Sequence, residues 1–570
     1  MPAVRAARGY SLYKLRKDLL AGLTVAVVEV PQAMAYALIA GVPPQYGIYT
    51  SIIQGTLGAL LSSCEHLTTG PTNTQSLLIA SAVSRVAAMA GHPVGGPEYV
   101  AIYLQLVFSL TLIKGLMQLG FAALRLGDMV RYVSRSVIVG VAAGAGILII
   151  VGQIPAFLGV APRPRDPNDW WGVLGTLQRT WPSLGEVDGW AVGMGLVALV
   201  VVIGTRMISR LLPGALVAVV ITAAIIAVTG VLPDQPHLLV GELPRGLPSF
   251  HLPWTSLGEV RELLGGALAL AMLGMLESVA IGKTLAAKSG ERINSNQEFF
   301  AQGMTNAVSS FFQCIPGSGS FSRSALDYDA GAQTRFAAVF NACFVATIFL
   351  LLAGQARYIP LSSLAAVLFV IAYGLIDWRY MVRVARSSRS DGLVCFTTLV
   401  STLVAPLEYA IFIGIFLNIG LYLRKASRLH LNEMVQTKQG PFIERPIRDR
   451  LGTEQVLFLQ LEGGLFFAVA DELQDRLRLI LDSGVRVVVF RLKRTHMIDT
   501  TVLDELSDFI DQMKKRNRHV ILCGVRSELM TVLRNYAIVD QVGKENVFPA
   551  GDNVFASAKA ALARARELVA

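Results

Sequence analysis

The chain has 570 residues, of which 53% are apolar and only 16% charged, and a formal charge of +10. A charged share so far below the roughly 25% of soluble proteins excludes a purely soluble enzyme or scaffold. The positive balance shows no basic stripe with interleaved aromatics, which excludes a nucleic-acid partner, and it reads as the cytoplasmic Lys and Arg excess of a membrane protein.

The first 18 residues carry Arg5, Arg8, Lys14, Arg16 and Lys17 and are expected as a cytoplasmic N-terminus, 1–18. No short apolar core with a small-residue cleavage site follows, so no removable signal peptide is expected. A transmembrane region is expected over 19–430. Its clear apolar runs are Leu19 to Ala40, Ala101 to Phe121, Ser136 to Val151, Ala191 to Ile203, Ala215 to Val231 and Ala337 to Gly354. A spanning helix needs about 20 such residues, and with shorter segments counted the chain makes about fourteen crossings. If Leu19 starts on the cytoplasmic side, the even-numbered exits are the basic ones: Arg125, Arg131 and Arg135; Arg206 and Arg210; Lys283, Lys288 and Arg292; Arg379, Arg383, Arg386 and Arg389. Intervening loops are nearly neutral, such as Leu232 to Glu259 with Asp234 and Glu242. An even count leaves the tail in the cytoplasm. The expected location is the cell membrane, inner or plasma, with lipid as the surrounding partner.

In the first span, Gln32 and Tyr36 lie four residues apart on one helix face, beside the helix-breaking Pro31. They are candidates for substrate contact, with interhelical hydrogen bonding as the other reading. Glu29 lies three residues before Gln32, and Glu277 sits in the apolar eighth span, Leu270 to Gly282. A carboxylate isolated in a low dielectric readily takes a proton, so both are candidate proton carriers. For Glu277 the alternative is a structural pair with Arg323 or Lys283. For Glu29 it is a position facing a gate crevice or cytoplasmic water.

Two segments fit poorly as ordinary spans. In Leu67 to Met89, the run from Thr68 to Ser76, with Gly70 and Pro71, precedes apolar residues. In Cys314 to Ala332, Pro316 to Ser320 and then Ser322, Arg323 and Ser324 precede a short helix. Irregular backbone at membrane depth survives only where protein or a water-filled cavity satisfies it, and paired broken segments mark transporter substrate sites. They fall third and tenth in order, equivalent positions if seven spans repeat inverted. Each half-helix starting near mid-membrane leaves amide N–H groups and a partial positive charge, so two facing ends make an anion site. Thr72, Asn73, Thr74, Ser322 and Ser324 can add donors, and Arg323 a full positive charge.

Beyond Leu423 the pattern turns charged. A linker is expected over 431–453 and a small α/β domain over 454–570, with strands at Val456 to Leu461, Val485 to Phe490 and His519 to Val525 and a helix at Asp504 to Lys515. Cys64, Cys314, Cys343, Cys395 and Cys523 show no metal-ligand or disulfide spacing and read as single thiols; no metal and no cofactor is expected.

At this point the chain resembles the sulfate permease (SulP) family. The matching stretches are Val30 to Ser51 (VPQAMAYALIAGVPPQYGIYTS), Asn296 to Asn306 (NQEFFAQGMTN) and Gly319 to Thr334 (GSFSRSALDYDAGAQT). The tail resembles a STAS domain, with Met497 to Leu506 (MIDTTVLDEL) in place of an Asp-Ser-Ser-Gly-Leu stretch. The resemblance implies a polytopic α-helical membrane protein of fourteen spans in a 7+7 inverted repeat, with core and gate domains, two half-helices, a cytoplasmic STAS domain and a homodimer. It assigns substrate contacts to Gln32, Tyr36, Ser322 and Arg323, and less firmly to Thr72, Asn73 and Thr74. Family members with sodium coupling place a carboxylate in the eighth span, so sodium at Glu277 is an alternative to a proton. Departures are Ile48 for Leu in the Tyr-Gly-Leu-Tyr signature, Ser62 to Glu65 for Gly-Thr-Ser-Arg, Asp327 for a frequent Asn, and threonines with Val502 in the STAS stretch. A regulatory or docking role falls on Asp499, Thr500 and Thr501.

The resulting expectation is a secondary active carrier of small anions, foremost sulfate, with proton symport and alternating access. Bicarbonate or a dicarboxylate such as fumarate is the alternative substrate. An anion channel or a sensor is the alternative class, and no nucleophile, metal or cofactor motif points to an enzyme.

Overall fold

The computed structural model describes residues 6–7, 9–89, 96–127, 134–161, 172–208, 213–230, 238–436, 442–446, 455–551 and 555–570. Arg5, Arg8, Arg131, Arg210, Asp234, Glu454 and residues 437–441 and 447–453 of the expected linker lie outside these. Contacts divide the chain into Met1–Ile419 and Gly420–Ala570.

The first unit is helical. Its first half holds α1 (Leu12–Ile39), α2 (Pro44–Leu61), a two-residue strand β1 (Thr69–Gly70), α3 (Asn73–Met89), α4 (Pro97–Ala123), α5 (Arg135–Leu158), α6 (Gly189–Ile208) and α7 (Gly214–Thr229). The second half holds α8 (Leu257–Ser289), α9 (Ser295–Ser309), β2 (Ser318–Gly319), α10 (Phe321–Asp329), α11 (Phe336–Leu352), α12 (Leu361–Tyr373), α13 (Arg389–Val404) and α14 (Leu407–Ala426). Among the described residues, eight helices are long and apolar enough to cross a membrane by length and composition. Helix α1 begins at Leu12 rather than Leu19, because Ser11 caps it and the straight-chain residues that follow favour helix. Residues 12–18 are therefore part of the first helix, and Asp18 is buried, accepting from Gln333 N, Thr334 N and the Thr334 hydroxyl.

The repeat is visible in the packing. Helix α1 packs on α11 as α8 packs on α4, α2 on α11 as α9 on α4, and α1 on α10 as α8 on α3. The same holds for α13 on α5 and α6 on α12. These pairings separate a core group (α1–α4, α8–α11) from a gate group (α5–α7, α12–α14). The two groups do not meet symmetrically. Helix α1 packs on α7 and α12, and α3 on α5, whereas among the described residues the equivalent α8–α14, α8–α5 and α10–α12 contacts are sparse or lacking. An ion pair also ties α3 to α14, Arg85 Nη1 lying 3.3 Å from Glu408 Oε1.

The second unit is a mixed six-stranded sheet, order β4-β3-β5-β6-β7-β8: β3 (His430–Gln436), β4 (Phe442–Pro446), β5 (Val456–Leu465), β6 (Val487–Ile498), β7 (His519–Val525) and β8 (Val547–Pro549). Strands β5 to β8 run parallel, and β3 joins them antiparallel. Residues 431–453, expected as a linker, thus supply two strands, because the Leu431 and Met434 side chains find buried places on the sheet. Helices α15 (Phe467–Leu481), α16 (Thr500–Lys515) and α17 (Ser527–Asn535) cover one face. Helix α18 (Ala556–Val569) covers the other through Ala558, Ala561 and Ala565. Val487 and Val489 face one cluster and Val488 and Phe490 the other, as in strands buried on both sides. Burial there pushes the Cys523 thiol up to about 12, which keeps it unreactive.

Candidate functional site

The two broken segments meet. Strands β1 and β2 pair antiparallel, Thr69 with Gly319 and Gly70 with Ser318, and each leads within a few residues into the start of a half-helix, α3 or α10. Beside the crossing Gly317 admits no side chain: a Cβ there would lie 1.9 Å from Gln54 Oε1 and 2.6 Å from Gly70 O. The edges of the crossing are tied by side chains, with Gln302 Nε2 donating to Thr69 Oγ1, Gly319 N to Ser278 Oγ and Gly317 N to Asn306 Oδ1. Ser320, the N-cap residue of α10, makes no side-chain cap bond, which leaves first-turn amides of that helix open. Phe321 and Ser322 there are exposed, whereas Arg323 and Ser324 are buried.

Arg323 is not an uncompensated charge. Its Nη1 lies 2.5 Å from Glu29 Oε1, both side chains being 0% exposed, and its Nη2 donates to Pro71 O at 2.9 Å. The other Glu29 oxygen accepts from Asn341 Nδ2 of α11 at 2.6 Å. Glu29 therefore faces neither a gate crevice nor cytoplasmic water. A carboxylate this deep needs a cation and hydrogen bonds, and α10 and α11 supply both.

Glu277 pairs with neither Arg323 nor Lys283. It accepts from the Thr74 hydroxyl of α3 at 2.6 Å and from the Ser318 hydroxyl at 2.8 Å, and Ser318 Oγ lies 3.3 Å from Thr72 Oγ1. The cation beside it is Lys114 of α4, close enough for each charge to act on the other. Lys114 donates to Gln75 Oε1 at 2.8 Å and to Gly317 O at 2.6 Å. Unlike Glu29, Glu277 is only partly buried.

The remaining candidates divide. Gln32 and Tyr36 are both buried, and among the described residues Gln32 Oε1 has no hydrogen-bond partner. The Tyr36 ring packs with Leu77 of α3, Ile149 of α5 and Leu368 of α12, where core meets gate. Asn73 Oδ1 accepts from Thr74 N. The Ser324 hydroxyl accepts from Thr68 N and so braces the crossing from its buried side. Asp499 caps α16 through Val502 N, which leaves Thr500 and Thr501 exposed in its first turn, a place apart in the second unit. Sequence reasoning missed Lys114 and Asn341, and gave Gln75 no role beyond its place in the polar run from Thr68 to Ser76. Lys114 carried a signal, a lone ionisable residue inside an apolar run; Asn341 carried none.

Residues 15–398 match the model of the sulfate permease family, and residues 449–555 that of the STAS domain. A Bacillus subtilis protein described as the putative sulfate transporter YvdB is 27% identical over 553 residues, 96% of this chain and 98% of that one. A Bos taurus protein described as a sodium-independent sulfate anion transporter is 30% identical over 563 residues, 92% of this chain and 86% of that one. The solved structure of murine solute carrier 26 family member A9, described as an anion transporter in the inward-facing state, matches with a TM-score of 0.88 at 20% identity. That match covers 100% of this chain and 94% of the other, and is a likeness of fold.

Proposed function

Since the chain belongs to the sulfate permease family, we propose that it carries a small inorganic oxyanion, sulfate first, across the membrane by secondary active transport. The observation that carries this reading is the crossing of β1 and β2, which brings two half-helix starts together at one point. Amide and hydroxyl donors there hold an anion by partial charges. With Arg323 compensated by Glu29, its guanidinium is not a bare cation, so the anion is bound firmly enough to enter and weakly enough to leave. The family's substrate contacts correspond to Gln32, Tyr36 and the exposed Ser322, and the names of the two relatives favour sulfate.

Alternating access is supported by the uneven core–gate packing. Helices α1 and α3 are engaged with the gate while their repeat equivalents are not, and exchanging the two sets of contacts would open the opposite side. The proton carrier in this reading is Glu277, which is partly exposed and meets the site through Thr74 and Ser318. Glu29 is sealed and serves the fold. The N-terminus and STAS unit are assigned to the cytoplasm, with a homodimer as the assembly and exposed Thr500 and Thr501 as the regulatory surface.

Uptake of radiolabelled sulfate into proteoliposomes, with bicarbonate and fumarate in parallel, tests the proposal. Saturable sulfate uptake driven by an inward proton gradient is expected. Glu277→Gln is expected to abolish gradient-driven accumulation while sparing sulfate exchange. Conductance far above carrier turnover would replace the carrier by a channel, and binding without uptake would leave a sensor.

A further inference from the structure

Arg323 and Lys114, the fully buried cations among the described residues of the membrane unit, occupy related places. Glu29 on α1 is the repeat counterpart, by helix, of Glu277 on α8. Around Glu29 the cation comes from half-helix α10 and a neutral amide from α11. Around Glu277 the half-helix, α3, gives a neutral hydroxyl, and the cation comes from α4, the counterpart of α11. Lys114 donates to two oxygens, Gly317 O and Gln75 Oε1, and the nearby Glu277 carboxylate, with the Thr74 and Ser318 hydroxyls bonded to it, extends the cluster. The packing is tight, since a Cβ on Gly274 of α8 would lie 3.4 Å from Lys114 Nζ, 3.4 Å from Gln75 Nε2 and 3.3 Å from Ser318 Cβ. A carbonyl, an amide oxygen, hydroxyls and a carboxylate are the ligands a hard monovalent cation takes. An ammonium is a compact point charge with three donors and suits the same set.

We propose that the Lys114 ammonium is a tethered cation filling this oxygen cage, that it makes the transporter indifferent to sodium, and that removing it creates a sodium site. A free ion would have to displace a charge already held at 0% exposure by 2.6 and 2.8 Å hydrogen bonds. A lysine cannot leave, so its amine stays beside Glu277 through every transport cycle. The proposal rests on the transport reading only for its consequence in uptake, and the binding of sodium is read separately.

The test uses the purified full chain and its Lys114→Ala variant, melted in sodium chloride and in N-methylglucamine chloride at equal ionic strength. The wild type is expected to melt identically in both. The variant is expected to melt about 3 °C or more higher in sodium, in a concentration-dependent way. In proteoliposomes the variant's sulfate uptake should become sodium-dependent. Absence of sulfate uptake in every sample would count against the transport reading and leave the melting result standing. A sodium response in the wild type, or none in a folded variant, overturns the tethered-cation proposal. Where Lys114→Ala fails to fold in the organic cation, its recovery by purification in sodium supports the proposal. Failure in both media overturns it, whether the neutral pair Lys114→Met with Glu277→Gln folds, making Lys114 a simple ion-pair partner, or also fails, making its role one of packing.

Discussion

Glu29 and Glu277 sit on corresponding helices of the two repeats, and each has a buried cation nearby, yet the sites differ in access. Arg323 and Glu29 are both fully enclosed, 2.5 Å apart, while Glu277 is partly exposed and bonded to hydroxyls beside the crossing strands. Arginine suits the closed site, because its planar guanidinium reaches the carboxylate and the Pro71 carbonyl together and stays charged. Lysine suits the other, where a point charge donates to Gln75 Oε1 of α3 and to the Gly317 carbonyl just before β2. The comparison teaches that a repeat can keep the carboxylates while exchanging which neighbour brings the positive charge. One copy then fastens the core, and the other remains available to chemistry.

The sharpest way to break this comparison is at the closed site. Arg323→Ala leaves an unpaired buried carboxylate and is expected to cost about 3–5 kcal/mol, seen as a large drop in melting temperature of the purified protein. Combining Arg323→Met with Glu29→Gln should recover most of the loss, since no charge is left unpaired. A loss that persists in the double variant would mean that Arg323 holds the fold through Pro71 rather than through Glu29. A smaller effect compares the neutral partners. Asn341→Ala removes what is, among the described residues, the only donor to one Glu29 oxygen, and should cost about 1.5–3 kcal/mol. Thr74→Val, which leaves Glu277 its Ser318 bond and its exposure, should cost about 1 kcal/mol or less in the same melts. Equal losses would erase the distinction between a sealed and an accessible carboxylate.

Much of this architecture was legible in the sequence because its signals are local. Gly70-Pro71 and Pro316-Gly317 interrupt apolar runs within a few residues of the half-helix starts, and the short runs Val456 to Leu461 and His519 to Val525 mark strands that the sheet contains. What stayed hidden was partnership. Arg323 and Glu29 are 294 residues apart, and no periodicity tells which of several buried cations a carboxylate meets. Arg323 accordingly reads in the sequence as a charge aimed at the anion, and Glu277 as a candidate proton carrier whose alternative is a pair with Arg323 or Lys283. The linker was misread for a different reason. His430–Gln436 and Phe442–Pro446 are short and pinned by few apolar residues, so their strand character comes from their neighbours, β5 for the first and β3 for the second, rather than from their own pattern.

The distance along the chain between Glu29 and its partners bears on how the protein is made. Arg323 follows Glu29 by 294 residues and Asn341 by 312. At about 5–20 residues per second, the ribosome delivers Arg323 roughly 15–60 s after α1 has emerged. Throughout that interval the first helix must enter lipid with a carboxylate that has no cation to meet. Insertion of α1 is therefore provisional until the second half arrives, whether Glu29 waits as a neutral acid or in the shelter of the insertion machinery. The centre of this transporter cannot close before its second half is made, and its earliest helix waits for that moment.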